Sequence, residues 1–171
     1  MGFRRPHRLT QQHDTGQFDC GDDATSDWLR KFAFASDRAG LSSVYVATEL
    51  ETMRVAGYYA LATGAVATAD AAERVAKGAG RHDIPVILLA RLGVERRFQG
   101  LGLGRALLKD ALLRTLNVGE QVAVRALLVH ALDESARAFY MNFAEFEASP
   151  TDLLHLLLLL KDAKKALAGG R

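Results

Sequence analysis

Three glycines, Gly100, Gly102 and Gly104, stand two apart in the stretch 91–105, RLGVERRFQGLGLGR. Glycine takes positive φ without a Cβ penalty and lets a ligand approach main-chain N–H groups; a helix start adds unpaired donors and a dipole that favours negative charge. The chemistry offered is anion binding, and a phosphate-bearing cofactor is the expected occupant. A dinucleotide fingerprint needs G-x-G-x-x-G and an acidic residue roughly 20 positions on, whereas here the spacing is G-x-G-x-G and the next strand-like run ends in His130. A nucleoside-triphosphate loop needs G-x-x-x-x-G-K-[S/T], but Gly104 is followed by Arg105 and Ala106. The pattern that fits is Q-x-x-G-x-G, opening at Gln99. The plain alternative is a glycine-rich turn without a ligand.

Such a loop needs a strand before it and a helix after it. Residues 84–94 (IPVILLARLGV) are almost continuously apolar, as a strand covered on both faces should be, and 105–116 (RALLKDALLRTL) repeat apolar residues at helical spacing. Pro85 is tolerable because the strand begins there. Residues 117–121 make the return to a second strand at 124–132, which closes a right-handed βαβ unit. Asp133 then caps a helix over 134–143 (ESARAFYMNF), on which Phe139 and Phe143 share a face and Tyr140 is rotated off it. A last buried strand is expected at 153–160.

Upstream, residues 18–40 read as an amphipathic helix with Ser26 or Asp27 as N-cap, Trp28 and Phe32 as core anchors, and Gly40 as its stop. Residues 43–49 and 55–66 form an antiparallel hairpin in which Gly57 and Gly64 mark bends or bulges. Residues 67–83 contain a short helical possibility at 70–77 and form a mobile connection. An N-terminal arm or edge strand occupies 1–17 and a basic tail 161–171.

A chain of 171 residues with 49% hydrophobic content suits one domain with its own core. The net charge of +2 is too slight to argue for nucleic-acid binding, so any such claim rests on local clusters. Cys20 is the only cysteine, which excludes an intrachain disulfide. MGFRRPHRL has no apolar core after its basic residues, and the leucine run 156–160 is far short of the ~20 residues of a membrane span. A soluble cytoplasmic protein is expected.

The loop at Gln99–Gly104, between strand and helix, resembles the acetyl-coenzyme A pyrophosphate loop of the GNAT N-acetyltransferases. The order helix, hairpin, long apolar strand, loop, helix, strand, helix with F-Y, final strand is similar to that fold from about Phe18 to Leu160. The resemblance implies an α/β (α+β) fold of a single domain over 1–171, with a mixed, twisted central sheet flanked by helices. FDCG with DWL, AGYYAL, IPV, RLGVERRFQGLGLGRALLKDALLR, VRALLVHAL and ARAFY together resemble the TacT-type acetyltransferase toxins of bacterial type II toxin–antitoxin pairs. For those the resemblance implies acetyl-CoA as cofactor and the α-amino group of aminoacyl-tRNA as substrate, so that translation is blocked. It also implies a ribbon-helix-helix antitoxin through which a repressor complex contacts DNA, and a homodimer. Two departures stand out: Phe143-Ala144-Glu145-Phe146 replaces the family's short F-G-F turn, and the leucine run 156–160 lacks the usual polar or proline interruption.

Acetyl transfer from a thioester to an amine needs a neutral amine, a donor to the carbonyl oxygen and a proton for the departing thiolate, and no metal. Tyr140 is the candidate general acid, because a phenol of pKa about 10 stays protonated at neutral pH; its plain alternative is an aromatic packed in the core. The resemblance implies that main-chain groups of Leu92, Gly93 and Val94 pair with the pantetheine, and that Gln99, Gly100, Leu101, Gly102, Leu103, Gly104 and Arg105 hold the pyrophosphate. Glu95 and His130 are possible bases, each with an ordinary structural alternative. An α-amine, with a pKa of about 7.7–8.0, needs less help than a lysine. For a tRNA acceptor, Arg30, Lys31, Arg81, Arg91, Arg96 and Arg97 are the candidate phosphate contacts. Two other functions stay open: a GNAT acting on a small-molecule or protein amine, and a coenzyme A-binding module without catalysis.

Overall fold

The computed structural model describes residues 2–169. Seven strands form one mixed sheet: β1 (His7–Arg8), β2 (Ser43–Thr48), β3 (Val55–Val66), β4 (Ile84–Val94), β5 (Ala126–His130), β6 (Glu147–Ala148) and β7 (His155–Leu159), in the order β1-β2-β3-β4-β5-β7-β6. The helices are α1 (Asp23–Asp27), α2 (Ala33–Arg38), α3 (Glu73–Ala76), α4 (Leu103–Gly119), α5 (Glu134–Phe143) and α6 (Leu160–Ala168). By contact density the chain divides into two units, one up to Ala62 together with Ala90–Ala111, the other Thr63–Leu89 with everything from Leu112.

In the first unit the hairpin forms as expected, with β2 antiparallel to β3. Ala47 faces Gly57 while Thr48 faces Val55, so Ala56 is an extra residue and a bulge sits there. Its carbonyl accepts the Glu95 N–H at 2.9 Å, which ties the bulge to the end of β4. Gly57 is needed for close approach: a Cβ would lie 2.8 Å from Leu107 and 3.2 Å from Leu103, both of α4. The N-terminal stretch takes the edge-strand alternative, β1 pairing with β2 through His7↔Val46 and Arg8↔Tyr45.

The first helix departs from expectation. Asp22, not Ser26 or Asp27, is its N-cap, accepting from the Thr25 N–H, and Trp28–Phe32 is π-helical, with the Ala33 N–H reaching back to the Trp28 carbonyl. The wider turn changes which residues face in: Leu29 and Ala33 are buried, whereas Phe32, expected as an anchor, is 56% exposed. Trp28 is half-buried and stacks on Tyr58.

In the second unit, β4 pairs in parallel with β5 from Val86↔Ala126 to Leu89↔Val129. Helix α4 runs on to Gly119, consuming part of the expected return. The 67–83 connection holds a 3-10 turn at Thr68–Asp70 and only the short α3. Strand β7 lies between β5 and β6, which explains its unbroken leucines: Leu156, Leu157 and Leu158 are all buried. The altered stretch after α5 leads into β6, with Ala144 extended as the C-cap and Phe146 buried. The expected basic tail is instead helix α6, whose Asp162 pairs with Arg74 at 3.1 Å. The ends of the expected arm and tail, residues 1, 170 and 171, lie outside the described residues. Among the described residues no helix is long and apolar enough to cross a membrane.

Candidate active site

The loop is held by side chains that do not themselves face a ligand. The Glu95 carboxylate, 5% exposed, accepts the Arg97 N–H at 2.7 Å and so caps the 3-10 turn Arg96–Phe98; Arg97 and Arg54 flank it at 3.5 and 3.8 Å. Phe98 is buried beneath the turn. Arg96 donates through Nε to Asp19 at 3.0 Å. The Gln99 amide donates to the carbonyls of Cys20 at 2.8 Å and Val94 at 2.9 Å, so the residue expected to touch the cofactor anchors the loop to β4.

With the flanks pinned, the backbone turns outward. Gly100 and Gly102 have φ of +82° and +88°, and a Cβ on either would meet nothing within 4 Å. Both positions are therefore glycine for backbone conformation, and the space over them is open. Gly104 differs from expectation: it has no positive φ among the described glycines and lies in the first turn of α4. The helix begins as the Gly102 carbonyl accepts the Ala106 N–H at 3.1 Å. Leu103 is buried, while Leu101 and Arg105 are exposed. Open glycine backbone at the start of a 17-residue helix suits a pyrophosphate. Leu92 and Val94 are half-buried and Gly93 is buried, a Cβ there approaching Thr25 to 3.0 Å.

In the second unit, Asp133 caps α5 as expected by accepting the Ala136 N–H at 2.8 Å. Tyr140 is not rotated off the inner face: it is buried beside Phe143, with its ring edge-on to Phe139 and Phe146 at 5.2 and 5.7 Å. Desolvation by burial pushes its phenol pKa up, which keeps the proton on oxygen. His130, last in β5, lies face to face with His155 of β7, centroids 3.9 Å apart, and His155 is 3.3 Å from Asp152. Burial and then the neighbouring His155 push the His130 pKa down, with Asp152 opposing.

The expected basic patch divides. Arg30 donates to the Phe18 carbonyl and pairs with Asp27, to which Lys31 also reaches at 3.7 Å. Arg96 and Arg97 are engaged as above. Arg91 lies over the Trp28 ring at 5.3 Å and makes no ion pair among the described residues. Arg81 is exposed. Thus the loop residues, Glu95, Arg30, Lys31, Arg91, Arg96 and Arg97 fall in the first unit, and Tyr140, His130 and Arg81 in the second. Nothing local in the chain singles out Arg54, Asp19, Asp152 or His155, because each acts through a contact distant in the chain or through a turn. No cluster of three or more His, Cys, Asp or Glu side chains among the described residues could hold a metal ion.

No family model matches the chain. A curated protein of Mycobacterium tuberculosis described as a tRNA-acetylating toxin is 47% identical over 168 residues, 98% of each chain. Among solved structures, AtaT complexed with acetyl-methionyl-tRNAfMet superimposes with a TM-score of 0.87 at 24% identity, covering 97% of this chain and 99% of that one. A tyrosine-to-phenylalanine variant of AtaT bound to the C-terminus of its antitoxin AtaR and acetyl-CoA gives 0.81 at 23% identity, covering 98% and 99%. These neighbours share the fold of this chain. With nearly half its residues identical along almost its whole length to the mycobacterial protein, the chain belongs to the family of tRNA-acetylating toxins.

Proposed function

We propose that the protein is an acetyl-CoA-dependent N-acetyltransferase that acetylates the α-amino group of aminoacyl-tRNA and so stops translation, acting as one domain over its whole length. The observation that carries this is the Gln99–Gly104 loop, with two glycines at positive φ opening onto the start of α4. Acetyl-CoA, when bound, supplies a thioester whose acetyl group is transferable and whose sulfur leaves as a thiolate. Main-chain groups of Leu92, Gly93 and Val94 bind its pantetheine arm, and the N–H groups from Gly100 to Arg105 bind its phosphates. Gln99 holds the loop to β4. Tyr140 is the proton donor to the leaving sulfur; burial keeps its phenol protonated at neutral pH. Of the two candidate bases, Glu95 is occupied by Arg97 and Arg54, which favours His130.

On the acceptor side, Arg91 and Arg81 are the cations best free to meet phosphate, with Arg30, Lys31, Arg96 and Arg97 adding charge while holding their partners. A small ribbon-helix-helix antitoxin, through which the pair contacts DNA, neutralises the enzyme, and the toxin is a homodimer. The related AtaT is solved with the C-terminus of its antitoxin, which supports such pairing. The deciding experiment supplies labelled acetyl-CoA and a pool of charged tRNAs, alongside a small free amine. Label on aminoacyl-tRNA, falling steeply between about 50 and 200 mM salt while acetylation of the small amine changes little, is the expected result. Equal salt profiles, or label on the small amine alone, would place the enzyme among metabolite acetyltransferases.

A further inference from the structure

The second unit holds a half-open cavity of about 380 Å³ with an apolar floor and a titratable rim. Leu88 of β4, Leu128 of β5 and Leu157 of β7 lie in register across the floor. On the rim, Asp70 accepts the Thr151 hydroxyl at 2.8 Å, and Asp152 accepts the Leu154 N–H at 3.0 Å while its other oxygen faces His155. His130 alone has an uncommitted ring: it stacks on His155 but makes no side-chain hydrogen bond among the described residues.

We propose that this cavity receives the aminoacyl group of the charged tRNA and that His130 takes the proton its α-amine must lose. The proposal rests on the acetylation assigned above and adds to it the acceptor subsite. Asp70 and Asp152 draw the cationic α-ammonium to the rim, and the leucine floor accepts an uncharged side chain. A carboxylate side chain would meet the same two aspartates and be disfavoured. The titratable groups acting on His130 are His155 of β7 and Asp152 from the loop before it; Asp70 of the 3-10 turn lines the same cavity. Desolvation and His155 keep its imidazole neutral and able to accept. The step balances: the nitrogen bonds to the acetyl carbon and its proton passes to His130, while the carbon–sulfur bond breaks and the sulfur takes the proton of Tyr140; His130 then gives its proton to water and the Tyr140 oxygen regains one from water, so both side chains return to their starting state. His155, held by Asp152, is a positioning residue for the His130 ring.

The test uses the full chain as wild type, His130→Gln and Leu88→Phe; both changes are at partly or fully exposed positions, and folding is checked by thermal melts. Without acetyl-CoA, titrating 3′-methionylamino-3′-deoxyadenosine should move the ring NMR signals of His130 and His155. His130→Gln should lower kcat by about 10²-fold and remove the acidic limb of the pH profile, with acetyl-CoA affinity unchanged in calorimetry. Leu88→Phe should lower kcat/KM for methionyl- relative to glycyl-tRNA by about tenfold, and aspartyl-tRNA should be a poor wild-type substrate. Unmoved ring signals, an unaltered pH profile in His130→Gln, or an unchanged tRNA order in folded Leu88→Phe overturns the subsite while leaving the function intact. A wild type that acetylates no charged tRNA overturns both.

Discussion

Two histidine pairs show how differently the two units spend similar side chains. In the first, His7 and His13 meet edge to edge with their Nε2 atoms 2.8 Å apart. The chain of bonds is closed: the Thr10 N–H donates to His13 Nδ1, His13 Nε2–H donates to His7 Nε2, and His7 Nδ1–H donates to the Arg5 carbonyl. In the second, His130 and His155 stack face to face and leave ring edges toward a cavity. The first pair is spent on holding an edge strand. In the second pair the His130 ring makes no side-chain hydrogen bond among the described residues. The same division extends to the loop and to α5: Glu95, Gln99 and Arg96 are engaged in holding the loop backbone, whereas Tyr140 of α5 is buried with its ring edge-on to Phe139 and Phe146.

That division is broken or sharpened first at the loop. Gly102→Glu should abolish acetyl-CoA binding, because a carboxylate enters the phosphate position, whereas Gly102→Ala should only weaken it. A side chain at φ +88° costs about 1–2 kcal/mol, but the alanine methyl meets nothing there. Calorimetry on both variants separates charge from strain, and wild-type affinity in a folded glutamate variant would remove the main-chain account. Next, Tyr140→Phe should lower kcat by about 10²-fold or more with cofactor affinity nearly unchanged. An equal loss in binding would make the tyrosine a packing residue, and the second unit would then offer less side-chain chemistry than claimed. Third, Gly57→Ala should destabilise the protein by roughly 1–3 kcal/mol, since its methyl would overlap Leu107 and crowd the Gly93 carbonyl. Thermal melts check this.

Much of this arrangement was legible in the sequence where information is local. The β4 strand at 84–94, the Asp133 cap, the hairpin and the glycine loop follow from periodicity and turn chemistry over a few residues. What escaped depends on distant partners or on small changes of helical pitch. Phe32 had the spacing of an anchor, but the π-helical turn at Trp28–Phe32 swung it outward, and no residue type announces such a turn. Gln99 matched a cofactor motif, yet its amide is taken by the Cys20 carbonyl, nearly 80 residues away. The six candidate tRNA cations looked equivalent until Asp19, Asp27 and Glu95 claimed four of them. Helical position alone did not say that Tyr140 is buried, because Phe146, beyond the helix, packs edge-on to its ring.

The smallest effect expected concerns the closed histidine pair. His13 is buried, and desolvation first, then the neighbouring His7, pushes its pKa below the usual value near 6.5. The bonding chain has no place for another proton: protonating His13 at Nδ1 sets it against the Thr10 N–H, and protonating His7 at Nε2 sets it against the His13 donor. The folded state therefore prefers neutral His13, and the unfolded chain binds more protons once the pH falls below about 6.5. The contribution is fully present above that value and is lost progressively as the pH falls toward the folded pKa. Amide hydrogen exchange should register this locally, as faster exchange of the Leu9 and Thr10 N–H groups at pH 5.5 than at pH 7.5 after correction for intrinsic rates. His13→Gln should abolish that pH dependence. Protection that is the same at both pH values in the wild type would mean that the edge strand is held by its pairing with β2 alone, and the contrast between the two histidine pairs would reduce to geometry.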